Sequence, residues 1–141
     1  MSLQFYIPDN GTYTHDCAGS IINEWVVVSA AHCFGYGKPA DKWIVLPGAH
    51  KHSLPKDLEE YDGPIHKIHS LYIPKKWDST KFYHDIAILV MKKPFHFNDK
   101  IKPIKMMGFG EHSKIRGKYR VSQQVLANIP KLRKYKHPDY F

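Results

Sequence analysis

Apolar residues in this chain come in short clusters separated by turn residues, and no segment sustains the three-to-four spacing of a long helix. Leu3 to Ile7 reads as a strand, broken at Pro8-Asp9-Asn10-Gly11. Ala18 to Ile22 and Trp25 to Ser29 read as a hairpin pair across Asn23-Glu24, and Trp43 to Leu46 as a strand stopped by Pro47-Gly48. Ile65 to Ile68 follows an acidic, proline-bearing loop from Pro55 to Pro64. The strongest strand is Ile86-Ala87-Ile88-Leu89-Val90-Met91, a continuous apolar run expected to be buried on both faces. Val121 to Ile129 is a weaker candidate, ended by Pro130, and Lys131 to Pro138 has little apolar content and is expected to be poorly ordered. Short strands with frequent turns imply an all-β architecture, a small barrel or sandwich.

At 141 residues the chain is long enough to bury a core of its own, and its apolar and charged fractions are those of a soluble globular protein. No apolar run approaches the roughly 18 residues of a membrane-crossing helix, so no membrane span is expected. Met1-Ser2-Leu3-Gln4 lacks the basic start and apolar core of a signal peptide, so no secretory leader is expected in this segment. The net charge of +8 is uneven: residues 92–141 hold thirteen Lys/Arg against three Asp/Glu, whereas residues 1–91 hold eight against ten. A basic tail of this kind attracts polyanions, and 92–141 is the segment where such contact is expected; the simpler reading is a solvated, lysine-rich surface. Tyr119, Tyr135 and Tyr140 interleave with lysines, but no RNA-binding motif accompanies them, so nucleic acid is not an expected partner.

Two cysteines, Cys17 and Cys33, enclose fifteen residues. A bridge over such a loop contributes about 3 kcal/mol in the chain-entropy treatment and requires an oxidising compartment. Asn10-Gly11-Thr12 matches the N-glycosylation acceptor, making Asn10 a candidate modification site, although Asn-Gly is equally a hairpin turn.

The chemistry is concentrated in Trp25-Val26-Val27-Val28-Ser29-Ala30-Ala31-His32-Cys33, an apolar strand running into a histidine flanked by small residues. Ser29-Ala30-Ala31-His32-Cys33 resembles the Thr/Ser-Ala-Ala-His-Cys block of the chymotrypsin/trypsin-like serine proteases. Cys17-Ala18-Gly19-Ser20-Ile21-Ile22 resembles their Cys-Gly-Gly-Ser-Leu-Ile segment, departing at Ala18. Asp85-Ile86-Ala87-Ile88-Leu89-Val90, fifty-three positions after His32, is similar to the family's Asp-Ile-Ala-Leu-Leu strand. Ser2-Leu3-Gln4, Trp43 to His50, Ile101-Lys102-Pro103-Ile104 and Gly108-Phe109-Gly110 extend the resemblance, which is continuous through Ile104 and weaker to about residue 130. The resemblance implies an antiparallel β-barrel over residues 1–105, the first of the family's two, with 106–141 as a truncated start of the second. It also implies a Cys17–Cys33 disulfide, His32 as general base and Asp85 as the anion that orients it, a pair expected to be desolvated. Extracellular localisation, and peptide or protein substrates for a full-length form, follow from the same resemblance.

Parts of that machinery are absent from these 141 residues. No Ile-Val-Gly-Gly precedes Ser2, and no Gly-Asp-Ser-Gly-Gly occurs; after Asp85 the serines are Ser113 and Ser122, neither in a glycine-rich turn. Acyl transfer needs a nucleophilic hydroxyl and oxyanion donors besides base and orienting anion, so the chain alone is expected to be inactive. Two accounts follow: a partial sequence of a secreted serine endopeptidase, or a non-catalytic homologue that binds partners, including polyanions. No cofactor and no metal are expected. His50-Lys51-His52 and His66-Lys67-Ile68-His69 lack an acidic partner spaced to close a zinc site, and Glu59-Glu60 alone is too few oxygens for calcium.

Overall fold

The computed structural model describes residues 1–35, 38–49 and 61–105. The expected strand at Val121–Ile129, the basic tail from residue 106 onward, Ser113, Ser122, His50, His52 and Glu59-Glu60 lie outside the described residues.

Seven strands form one antiparallel sheet: β1 Ser2–Ile7, β2 Thr12–Ala18, β3 Ser20–Ile21, β4 Val26–Ser29, β5 Trp43–Leu46, β6 His66–Tyr72 and β7 Ala87–Met91. Three single 3₁₀ turns, Pro8–Asn10, Ala31–Phe34 and Ala40–Lys42, are the only helical elements among the described residues. None of these is long and apolar enough to cross a membrane.

The strand order is β2-β1-β5-β6-β7-β4-β3. Its two ends, β2 and β3, are chain neighbours separated by Gly19 alone, so the sheet curls round until its margins meet at one residue. Only glycine fits that junction. A Cβ built on Gly19 would stand 2.8 Å from Val27 Cγ1 and 3.2 Å from the Val28 carbonyl oxygen. This is the barrel of the expected fold class, seen as a rolled half-domain.

Burial follows the apolar pattern. Leu3 of β1, Val27 of β4, Trp43 and Val45 of β5, and Ala87, Leu89 and Met91 of β7 meet in one core. Every residue of β5 and of β7 is buried, as continuous apolar runs require. Trp43 is fully buried between two rings, Phe5 at 5.2 Å and Phe34 at 4.8 Å between centroids. Aromatic pairs at these separations contribute about 0.5–1.5 kcal/mol beyond the area they bury.

Departures from expectation concern β2, β3 and β6. The expected strand from Ala18 to Ile22 is instead the end of β2 and the short β3, because the close approach at Gly19 divides it. Most of β2 was not legible, since Thr12 to Asp16 mixes polar residues with one tyrosine, yet Thr and Tyr suit a half-buried sheet edge. β6 runs to Tyr72 rather than stopping at Ile68, with a register shift between Ile68 and Ser70 that absorbs His69.

His66, the first residue of β6, is buried against Phe95 at 4.5 Å, and its Nδ1–H donates to the Lys93 carbonyl at 3.3 Å. Loss of hydration pushes the imidazole below its ordinary range. The bond to Lys93 opposes this shift, while the charges of His96 and Lys93 add to it. A histidine with a lowered pKa in the fold takes up its proton more readily when unfolded. Stability is therefore fully present above the unfolded value, about 6.5, and falls as pH drops from there through the folded value. Urea unfolding at a series of pH values should show this decline beginning near pH 6.5 and should show it flattened in His66→Gln. An equal decline in the variant would assign it elsewhere.

Candidate active site

β4 carries the chain from Val26 to Ser29, after which Ala30 stays extended and Ala31–Phe34 form one 3₁₀ turn. Three residues of that turn point inward: Ala31, Cys33 and Phe34 are buried, the last against Trp43. His32 is left outside, 48% exposed at its side chain. The alternation is a direct result of the local sequence, in which small and apolar residues surround one imidazole. Ser29 Oγ donates to the Ala18 carbonyl at 2.8 Å, tying the strand end to β2. The Cys17–Cys33 disulfide, with Cα atoms 6.1 Å apart, joins the same two segments one turn later.

Asp85 reaches this turn from the residue pair that precedes β7. Its Oδ1 accepts the His32 backbone N–H at 2.8 Å, and its Oδ2 lies 2.7 Å from His32 Nδ1. One carboxylate therefore grips both the main chain and the ring of a single residue. Loss of hydration acts to raise the Asp85 carboxyl. Hydrogen bonds from the His32 ring and backbone, the His32 charge and the Ala31 N–H outweigh it and hold the group below the usual carboxylate range. An ionised carboxylate only accepts hydrogen bonds, so Nδ1 carries the proton and Nε2 is left with a free lone pair. That is the tautomer in which an imidazole can take a proton from a hydroxyl.

The pair is wetter than the sequence suggested. Asp85 keeps 22% side-chain exposure, because it stands two residues before the buried strand and not within it.

The segment leading to Asp85 is bent in an unusual way. Phe82 has φ +55° and His84 φ +58°, the left-handed region that side chains other than glycine rarely occupy. Each such residue costs roughly 1–2 kcal/mol. The bend is braced by the Asp78–Tyr83 bridge and by the Ile86 N–H, which donates to the His84 carbonyl at 2.8 Å. It also sets Phe82 edge-on to the His32 ring at 6.0 Å and to Trp77 at 5.9 Å. These rings, with Gly35 and Ser79, line a cavity of about 430 Å³ that opens beside His32. Nothing in the sequence drew attention to Trp77 or Phe82; their only signal is that, with Tyr83, they are the aromatic residues of a largely polar loop.

Cys17, His32 and Cys33 also place potential metal-ligating atoms within 4.8 Å of one another. Both sulfurs are bonded to each other and offer no thiolate, so these residues do not form a metal centre. Asn10 stands apart from the others, at the tip of the β1–β2 hairpin.

Comparison with known proteins places the chain in a family. The Trypsin family model matches residues 2–122. Coagulation factor IX of Oryctolagus cuniculus is 37% identical over 97 residues, covering 67% of this chain and 33% of the relative. The clotting factor G beta subunit of Tachypleus tridentatus is 32% identical over 98 residues, 67% of this chain and 29% of the relative. Chymotrypsin-C of Mus musculus is 29% identical over 103 residues, 72% and 35% respectively. The chain thus spans about a third of the length of the curated relatives it matches. With a family match across most of its residues, on a rolled antiparallel sheet, the chain belongs to the trypsin-like serine protease family.

Proposed function

We propose that this chain supplies the proton-handling half of a serine endopeptidase, with His32 as general base and then general acid, and Asp85 as the group that orients it. The observation that carries this reading is the double grip of Asp85 on His32, one oxygen to the backbone N–H and one to the ring. With Nδ1 held as donor, Nε2 takes the proton of an attacking hydroxyl as its oxygen bonds to the peptide carbonyl carbon. The imidazolium so formed is stabilised by the Asp85 carboxylate, and it returns its proton to the departing amine as the C–N bond breaks. The cavity walled by Trp77 and Phe82 beside the ring offers apolar surface to a substrate side chain.

The nucleophile and the oxyanion donors are assigned to residues outside this 141-residue stretch, which by itself hydrolyses no peptide bond. A fluorophosphonate probe, which labels activated serines, is expected to leave the purified chain unmodified. Stoichiometric labelling at a single serine would overturn this assignment. The Cys17–Cys33 bridge supports an extracellular or otherwise oxidising location, since such bonds do not persist among reducing thiols.

A further inference from the structure

We propose that Asn10 is an N-glycosylation site that carries its sugar at the free end of the β1–β2 hairpin. The acceptor requires an accessible side-chain amide with a hydroxyl two residues on, which Asn10-Gly11-Thr12 supplies. Pro8–Asn10 form one 3₁₀ turn, the Gly11 N–H donates to the Pro8 carbonyl at 3.2 Å, and the strands re-pair at Ile7 and Thr12.

Turn geometry does not account for the asparagine. The left-handed position is taken by Gly11, at φ +62°, and Asn10 keeps a negative φ. No hydrogen bond among the described residues engages the Asn10 side chain, so it neither caps the turn nor closes an Asx loop. Asn10 and Gly11 are exposed, and a Cβ built on Gly11 would find no atom within 4 Å. The amide therefore projects from an uncrowded tip that any polar residue would satisfy structurally.

The site is also placed where a bulky, hydrated group is compatible with the active centre. Cys17 lies five positions after Thr12, about 17 Å along extended strand, so a sugar at the tip stands well away from His32. β2 pairs with β1 on one side and with no described strand on the other. Exposed margins of that kind recruit other strands, and a hydrated chain at the tip obstructs such pairing.

In the transfer, Asn10 Nδ2 bonds to the anomeric carbon of a lipid-diphosphate-linked oligosaccharide. The carbon–oxygen bond to the diphosphate breaks, the diphosphate leaves with the electron pair, and the amide gives up one proton to the transferase. This proposal rests on the secretory location inferred above, and the test separates the two.

The full 141-residue chain is expressed behind a cleavable secretory leader in insect cells, alongside Asn10→Gln and Thr12→Ala. The wild-type product is expected to run as a heavier species that N-glycosidase F returns to the polypeptide mass, leaving Asp at position 10 of the recovered peptide. Both variants should emerge at polypeptide mass with or without the enzyme. Wild type at polypeptide mass before treatment, or Asp and isoAsp at position 10 without enzyme, would overturn the proposal. Alkylation of the same sample reports separately on location. Two free thiols would count against the oxidising compartment, and a closed bridge on an unmodified chain would sink the sugar alone.

Discussion

Asp85→Asn is expected to lower turnover about ten-thousandfold in a form of this protein that carries the attacking serine, the size of effect the same exchange has in the Ser-His-Asp template itself. The contacts explain why so small a change acts so strongly. Asn has one acceptor oxygen and one donor nitrogen. The His32 backbone N–H can only donate, so it claims the oxygen where Oδ1 now sits, 2.8 Å away. The NH₂ then faces His32 Nδ1 at the 2.7 Å contact and makes that nitrogen an acceptor. The ring proton moves to Nε2, which can no longer receive one from a hydroxyl. Steady-state kinetics would show the loss in kcat with little change in KM. The tautomer is readable without activity: nitrogen NMR of the 141-residue chain should report Nδ1 protonated in the wild type and Nε2 protonated in Asp85→Asn. An unchanged tautomer would remove the role given to Asp85.

Replacing Cys17 and Cys33 together by Ala is expected to cost about 3 kcal/mol, the chain-entropy value for a loop of this length. For a unit of about a hundred residues, that corresponds to a drop in melting temperature of roughly 12–24 °C. The effect reaches beyond stability, because Cys33 lies next to His32 in the same single turn. That turn keeps Phe34 against Trp43 and the carboxylate clamp of Asp85, but it loses its covalent tie to β2. Calorimetry of the double variant, and of the wild type after reduction, should agree. A melting temperature within two or three degrees of the oxidised wild type would show that the bridge constrains nothing the barrel does not already hold.

What could be read from the chain was what local composition dictates. The run from Ile86 to Met91 has nowhere to go but the interior, and β7 is buried at every position. Small residues beside the histidine let backbone pack closely there, and the 3₁₀ turn at Ala31–Phe34 does turn Ala31, Cys33 and Phe34 inward, although the exposure it leaves at His32 was not legible. By contrast, β2 was obscured because its residues serve a half-covered margin, where polar and aromatic side chains alternate without a clean period. The Trp77–Phe82 wall was hidden for a different reason. It depends on left-handed backbone at Phe82 and His84, and no glycine or asparagine stands there to announce it. The hydration of Asp85 was likewise beyond reach, since it depends on how far the carboxylate stands from the strand that follows.

Gly19 has a mechanical consequence. The residue at which the rolled sheet is stitched shut lies two places after the cysteine that moors the histidine turn. Seam and mooring are thus one continuous piece of backbone, and slack introduced at the first is transmitted to the second. Ring orientation at His32 is in this sense a property of how tightly the cylinder is sewn.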